Sequence, residues 1–146
     1  MAAKPIIVGI DGSEDSVRAL KWAAEYARLV DAPLVGLVAW DLEPVYGYMA
    51  MTNWETAESV EREAREMLAD AIRRALGDDA QIEERSVRGH PAKMLVEASE
   101  DAQLVVVGSR GRGGFTGMLL GSVSQHVVTH ARCPVIVMPH EDQRKK

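Results

Sequence analysis

Two stretches hold the residue types best suited to binding chemistry, and both leave an apolar run to enter a helix-like pattern. One is Ile10-Asp11-Gly12-Ser13; the other opens with Gly108-Ser109-Arg110-Gly111 and runs to Gly121-Ser122. Helix N-termini attract anions, because their free N–H groups and the helix dipole present partial positive charge. The helix expected after Asp11 begins Ser13-Glu14-Asp15, so two carboxylates already answer its dipole. The helix expected after Gly121 begins Ser122-Val123-Ser124-Gln125, without an acid in its first turn, and Arg110 and Arg112 lie on its approach. A phosphate therefore belongs at the second stretch. Five glycines between residues 111 and 121 let backbone come close to oxygen atoms and permit positive φ, while Ser122 and Ser124 add hydroxyl donors. The competing reading is a flexible connector with Ser122 and Gln125 as a helix cap. It leaves the glycines and the two arginines without a purpose.

Other signals for chemistry fail. No Gly-x-x-x-x-Gly-Lys-Ser/Thr segment exists, and Thr116 stands where a dinucleotide fingerprint starting at Gly111 needs its last glycine. His126 and His130 have zinc-like spacing on the last helix, but Val127 replaces the glutamate and a third ligand is missing. His90 before Pro91 reads as a helix-cap position, His140 as tail, and Cys133 as an inert thiol at a strand start. Nothing pairs a nucleophile with a base, and phosphoryl transfer needs a positioned nucleophile and usually a metal held by acids. No catalytic residue is assigned.

The elements that must position these stretches follow from hydrophobic periodicity. Continuous apolar runs at Pro5–Ile10, Leu34–Trp40, Leu104–Val107 and Val135–Met138 suit strands buried on both faces of a parallel sheet. Ile82–Val87 alternates and is more polar, which suits an edge strand. Helical spacing fills Ser13–Val30, Ala57–Leu76, Pro91 to about Glu100, and Ser122–Ala131, with Thr52 and Glu55 as a capping box before the second helix. The order β-α-β-α-β-α-β-α-β predicts an α/β fold: an open five-stranded parallel sheet with helices on both faces. Ligands in such sheets bind beyond the carboxyl ends of the strands. The apolar stretch Asp41–Met51 is either a flap over the sheet edge or a lid on a ligand.

The chain has 146 residues, fitting one domain with a core at 4–139 and a short charged tail at 140–146. Its net charge of −5 argues against a nucleic-acid surface, and no apolar stretch approaches the length of a membrane span. A single cysteine and no secretory signal make the cytoplasm the expected compartment.

Gly108, Gly111, Gly121 and Ser122 meet a spacing of Gly, two residues, Gly, nine residues, Gly-Ser. With Ile7-Val8-Gly9-Ile10-Asp11-Gly12-Ser13, Val107 to Gly111 and Arg132-Cys133-Pro134-Val135, this resembles the universal stress protein family, ATP-binding type, over residues 4–139. The resemblance implies a Rossmann-type three-layer sandwich of the adenine nucleotide α-hydrolase-like kind, binding ATP alone or with Mg2+. It places Gly9, Ile10 and Ala39 at the adenine, Asp11 at a ribose hydroxyl, and Val107 and Gly108 along the nucleoside. Arg110, Gly111, Gly121, Ser122, Val123 and Ser124 would surround the phosphates. Asp11 also has a local reading, as a turn-forming aspartate before Gly12. The family commonly dimerises through its last strand. An apolar edge at 134–138 would otherwise invite aggregation, so a two-fold homodimer is expected. The function implied is a nucleotide-dependent stress-response module. A slow ATPase or nucleotide hydrolase, or an interaction protein holding a cyclic nucleotide, are the alternatives.

Overall fold

The computed structural model describes residues 3–42, 56–110 and 120–141. Strands and helices alternate along the chain: β1 (Ile6–Gly9), α1 (Glu14–Val30), β2 (Leu34–Trp40), α2 (Ala57–Leu76), β3 (Glu83–Arg88), α3 (Pro91–Ser99), β4 (Leu104–Gly108), α4 (Ser122–His130) and β5 (Val135–Met138). All strand pairs are parallel, in the spatial order β3-β2-β1-β4-β5. The expected architecture is therefore present. The chain winds outward from β1 through β2 to β3, then returns to the other side of β1 with β4. The order reverses between β1 and β4, and the carboxyl ends of those two strands flank the natural ligand crevice.

The continuous apolar runs become strands because both sheet faces are covered. Ile6 and Val8 point to one side and pack with Val17, Leu20, Leu68 and Ile72 of α1 and α2. Ile7 points to the other side, among Leu95, Val105 and Val127, where α3 and α4 lie. β3 takes one edge of the sheet, with Glu83 and Glu84 exposed, as its alternating sequence predicts. β5 takes the other edge, and all four of its residues remain half-buried.

Local chemistry sets the helix ends. Ser13 caps α1 by accepting from the Ser16 N–H at 3.1 Å. At the far end Asp31 turns left-handed, at φ 55°, and Pro33 prevents continuation. The start of α2 differs from expectation. Its cap is Thr56, whose hydroxyl accepts from the Ser59 N–H at 3.1 Å while the Ser59 hydroxyl accepts from the Thr56 N–H at 3.0 Å. Thr52 and Glu55 lie outside the described residues. A serine three residues into the helix does reciprocally what a longer Glu or Gln usually does. Most of the Asp41–Met51 stretch is also outside them. Its first residue, Asp41, accepts from Nε of Arg88, whose guanidinium lies 5.6 Å from the Trp40 ring centre.

Candidate functional site

At the carboxyl ends of β1 and β4 the structure opens a cavity of about 530 Å3. That size falls in the usual range for small-molecule sites, about 300–1,000 Å3. Gly9, Ile10 and Asp11 enter it from the end of β1, and Ala39 from the end of β2. Val107, Gly108 and Arg110 enter from the end of β4, and Gly121, Ser122, Val123 and Ser124 from the start of α4. All the site residues expected from the sequence thus meet at one cavity, except Gly111, which lies outside the described residues.

Sequence reasoning misses Ser16, Leu37, Met67, Pro91 and Leu95 and sets Ser13 aside with the first stretch, yet all six also line the cavity. Ser13 and Pro91 carry a readable signal. Each begins a helix, and in a parallel sheet those starts gather at the carboxyl ends of the strands. Met67 and Leu95 have none beyond core periodicity. Ile10, Leu37, Met67, Leu95 and Val107 give the cavity apolar wall, and Asp11, Ser13, Arg110 and Ser122 bring polar groups to it.

The helix starts distinguish where an anion can sit. The Ser13 hydroxyl occupies the first turn of α1 and the Thr56 hydroxyl that of α2. At α3 the His90 ring accepts from the Ala92 N–H through Nδ1 at 3.2 Å, and Pro91 has no N–H to satisfy. His90 is thus the cap its position suggests. α4 begins at Gly121 without any side-chain cap, and its first turn holds no acid. Among the described helices, α4 alone begins without a side-chain cap, and its first residues line the cavity together with the buried Arg110. The competing reading needs a capping box at Ser122 and Gln125, and that box is not formed.

Several expected roles change in detail. Gly121 has φ −74°, so the freedom to adopt positive φ is irrelevant there and only close approach remains. The Ser124 hydroxyl donates inward to the carbonyls of Ser109 and Gly121, at 2.8 and 3.1 Å. It is therefore corrected from a ligand-facing hydroxyl to a brace of the turn. Ser122 is exposed at the helix start. Asp11 takes up its local role, its Oδ1 accepting from the Ser13 N–H at 2.9 Å, while still lining the cavity. Gly12 follows at φ 84°, where glycine is favoured. A carboxylate accepts about four hydrogen bonds, so the turn does not exhaust Asp11. A methyl group at Gly108 would lie 2.7 Å from Cβ of Asp15, which brings the first turn of α1 directly onto the end of β4.

The acids of α1 do not present the charge expected of them. Glu14 is exposed and pairs with Arg74 of α2. Asp15 is buried and accepts from Nη1 of Arg18 at 2.8 Å, and His140 Nδ1 lies 3.0 Å from its Oδ2. Burial pushes the Asp15 carboxyl up, but the hydrogen bonds from His140 and Arg18 outweigh it and hold the group below its ordinary value. His140, expected in a loose tail, is thus a partner of the first turn of α1. His126 and His130 lie with ring centres 4.4 Å apart and ring planes tilted by 54°, on an exposed face of α4. Among the described residues, no three His, Cys, Asp or Glu side chains gather as a metal site, and no helix is long and apolar enough to cross a membrane.

Comparison with known proteins gives a consistent picture. The family model described as the universal stress protein family matches residues 2–139. Universal stress protein Rv2623 of Mycobacterium tuberculosis is 43% identical over 135 residues, covering 91% of this chain and 44% of that one. The chain therefore spans less than half the length of that relative. A universal stress protein solved in complex with cAMP has a TM-score of 0.69 at 29% identity, covering 94% of this chain and 97% of that one. One from Archaeoglobus fulgidus, in complex with dAMP, has a TM-score of 0.57 at 27% identity, covering 94% and 99%.

Proposed function

Because this chain belongs to the universal stress protein family, we propose that its cleft binds ATP as a regulatory ligand rather than as a fuel. One observation carries the reading: a single cavity joins apolar wall to the uncapped, acid-free start of α4. An adenine suits the first. Phosphates suit the second, where free N–H groups and a cationic side chain replace their hydration.

The roles divide along the cavity. Gly9, Ile10, Ala39 and Val107 border the adenine, with Leu37, Met67 and Leu95 adding apolar wall. Asp11 accepts from a ribose hydroxyl with the capacity its turn leaves over. Arg110 and the N–H groups of Ser122, Val123 and Ser124 hold the phosphates, with Gly111 expected beside them. A Mg2+ ion would be carried mainly by phosphate oxygens and water, since the described residues offer no cluster of acids for it. Ligand occupancy would then bias a surface read by a partner in the stress response, with the protein working as a cytoplasmic homodimer.

A second reading has specific support. Relatives have been solved with cAMP and with dAMP, so a cyclic or monophosphate adenine nucleotide is the alternative occupant. The test is to purify the protein without added nucleotide, denature it, and identify released small molecules by mass spectrometry. We expect ATP, retained by wild type and lost from Gly121→Val combined with Ser122→Ala. Release of cAMP or AMP instead would favour the second reading. Equal retention by the double variant would sink the phosphate-site assignment.

A further inference from the structure

We propose that Asp15 is a positioning residue for the phosphate end of the cleft, an inference that rests on the nucleotide reading above. Asp15 is 3% exposed and does not line the cavity. A buried carboxylate is costly unless it is paired and hydrogen-bonded. Here the partners come from elements far apart in the chain. Arg18 of α1 grips it at 2.8 Å, and Nδ1 of His140, just beyond β5, lies 3.0 and 3.1 Å from its two oxygens. Arg18 also donates to the carbonyl of Pro139, so the chain leaving β5 is held at two consecutive residues.

Ser109 connects this clasp to the cleft. Its hydroxyl donates to Oδ2 of Asp15 at 3.4 Å, and its N–H donates to the Met138 carbonyl at 2.8 Å. Its carbonyl accepts from the Gly121 N–H at 2.6 Å and from the Ser124 hydroxyl at 2.8 Å. The residues that begin α4 therefore hang from Ser109. Asp15 also backs the preceding residue, since its Cβ fills the space a side chain at Gly108 would need. One carboxylate thus fixes the height of β4's end against α1 and β5, and through Ser109 the aim of the N–H groups at Ser122–Ser124. The adenosine end takes most of its wall from β1, β2 and the α2 and α3 side chains, with Val107 and Gly108 of β4, whereas the first turn of α4 hangs from Ser109.

This separation makes the test selective. Titration calorimetry measures ATP and adenosine affinity for wild type, Asp15→Asn and His140→Ala, with thermal unfolding measured alongside. We expect ATP affinity to fall about tenfold or more in each variant, the scale of a lost hydrogen bond to a charged group. Adenosine affinity should stay within about twofold of wild type, and the double variant should lose no more than the weaker-binding single one, as for residues of one network. Unchanged ATP affinity, or parallel losses for both ligands, would overturn the proposal. Should Asp15→Asn fail to fold, the half-buried His140→Ala decides it alone. If wild type binds neither ligand, the nucleotide reading itself falls, an outcome separate from normal ATP binding by the variants.

Discussion

Asp11, Ser124 and Gly108 show how residue type and residue role part company. Asp11 takes up the local one of the two readings made of it, one oxygen closing a turn with Ser13, and it still lines the cavity. The spacing of Ser124 puts it at the cavity, yet its hydroxyl bonds inward, which no sequence pattern could reveal. Gly108 reads as part of a nucleoside wall. It must also be glycine for a second reason, the contact with Asp15. Gly108→Ala should therefore destabilise by about 1–3 kcal/mol, the usual cost of forcing an extra methyl into a packed site. Urea unfolding measures it; stability equal to wild type would show that α1 can slide away. The Asp15–His140 pair is invisible in the sequence because 125 residues separate its members. Local patterns report neighbours along a helix or strand, and this contact depends on where two elements end in space.

At the scale of elements, the apolar runs and helical spacing mark every strand and helix found here to within a residue or two at most ends. β2 and β5 are legible in full because burial on both faces leaves an unbroken hydrophobic signature. The start of α2 is less so, since Thr52 and Thr56 both offer a hydroxyl and only geometry chooses between them. Helix starts also carry the functional distinction, with α1, α2 and α3 capped and α4 open. Gly121→Asp should close it. The backbone there has φ −74°, which aspartate adopts without strain, and its carboxylate would accept from the helix N–H groups. Stability should stay level or rise by up to about 1 kcal/mol, through the cap and the dipole. ATP affinity should fall at least about tenfold, since the anion site then holds its own anion. If Gly121→Asp leaves ATP binding as it is in wild type, α4 has no part in holding phosphate.

For the whole molecule, alternation of strand and helix is enough to foresee a parallel sheet with two covered faces. The order β3-β2-β1-β4-β5 is not legible in the same way, because it depends on which strands pair across long separations. That order leaves β5 at an edge, where Pro134 and Met138 turn their carbonyls toward β4. Strand alternation then points the N–H groups of Val135 and Val137 outward. Val137→Pro removes one outward donor, which an edge strand of a lone protomer tolerates and a strand paired with a second copy does not. The proposed dimer should dissociate in this variant by analytical ultracentrifugation, with helical circular dichroism retained. A variant that sediments as wild type does would place any dimer contact elsewhere. The two edges also differ in a way that limits growth. β3 carries Glu83 and Glu84 exposed at the opposite margin, so a second copy meets an inviting border on one side and a charged one on the other. In the proposed pair joined through β5, the β3 edges with their charged residues would lie outermost. Association of this kind would then stop at two copies, because a charged edge is a poor template for adding a further strand.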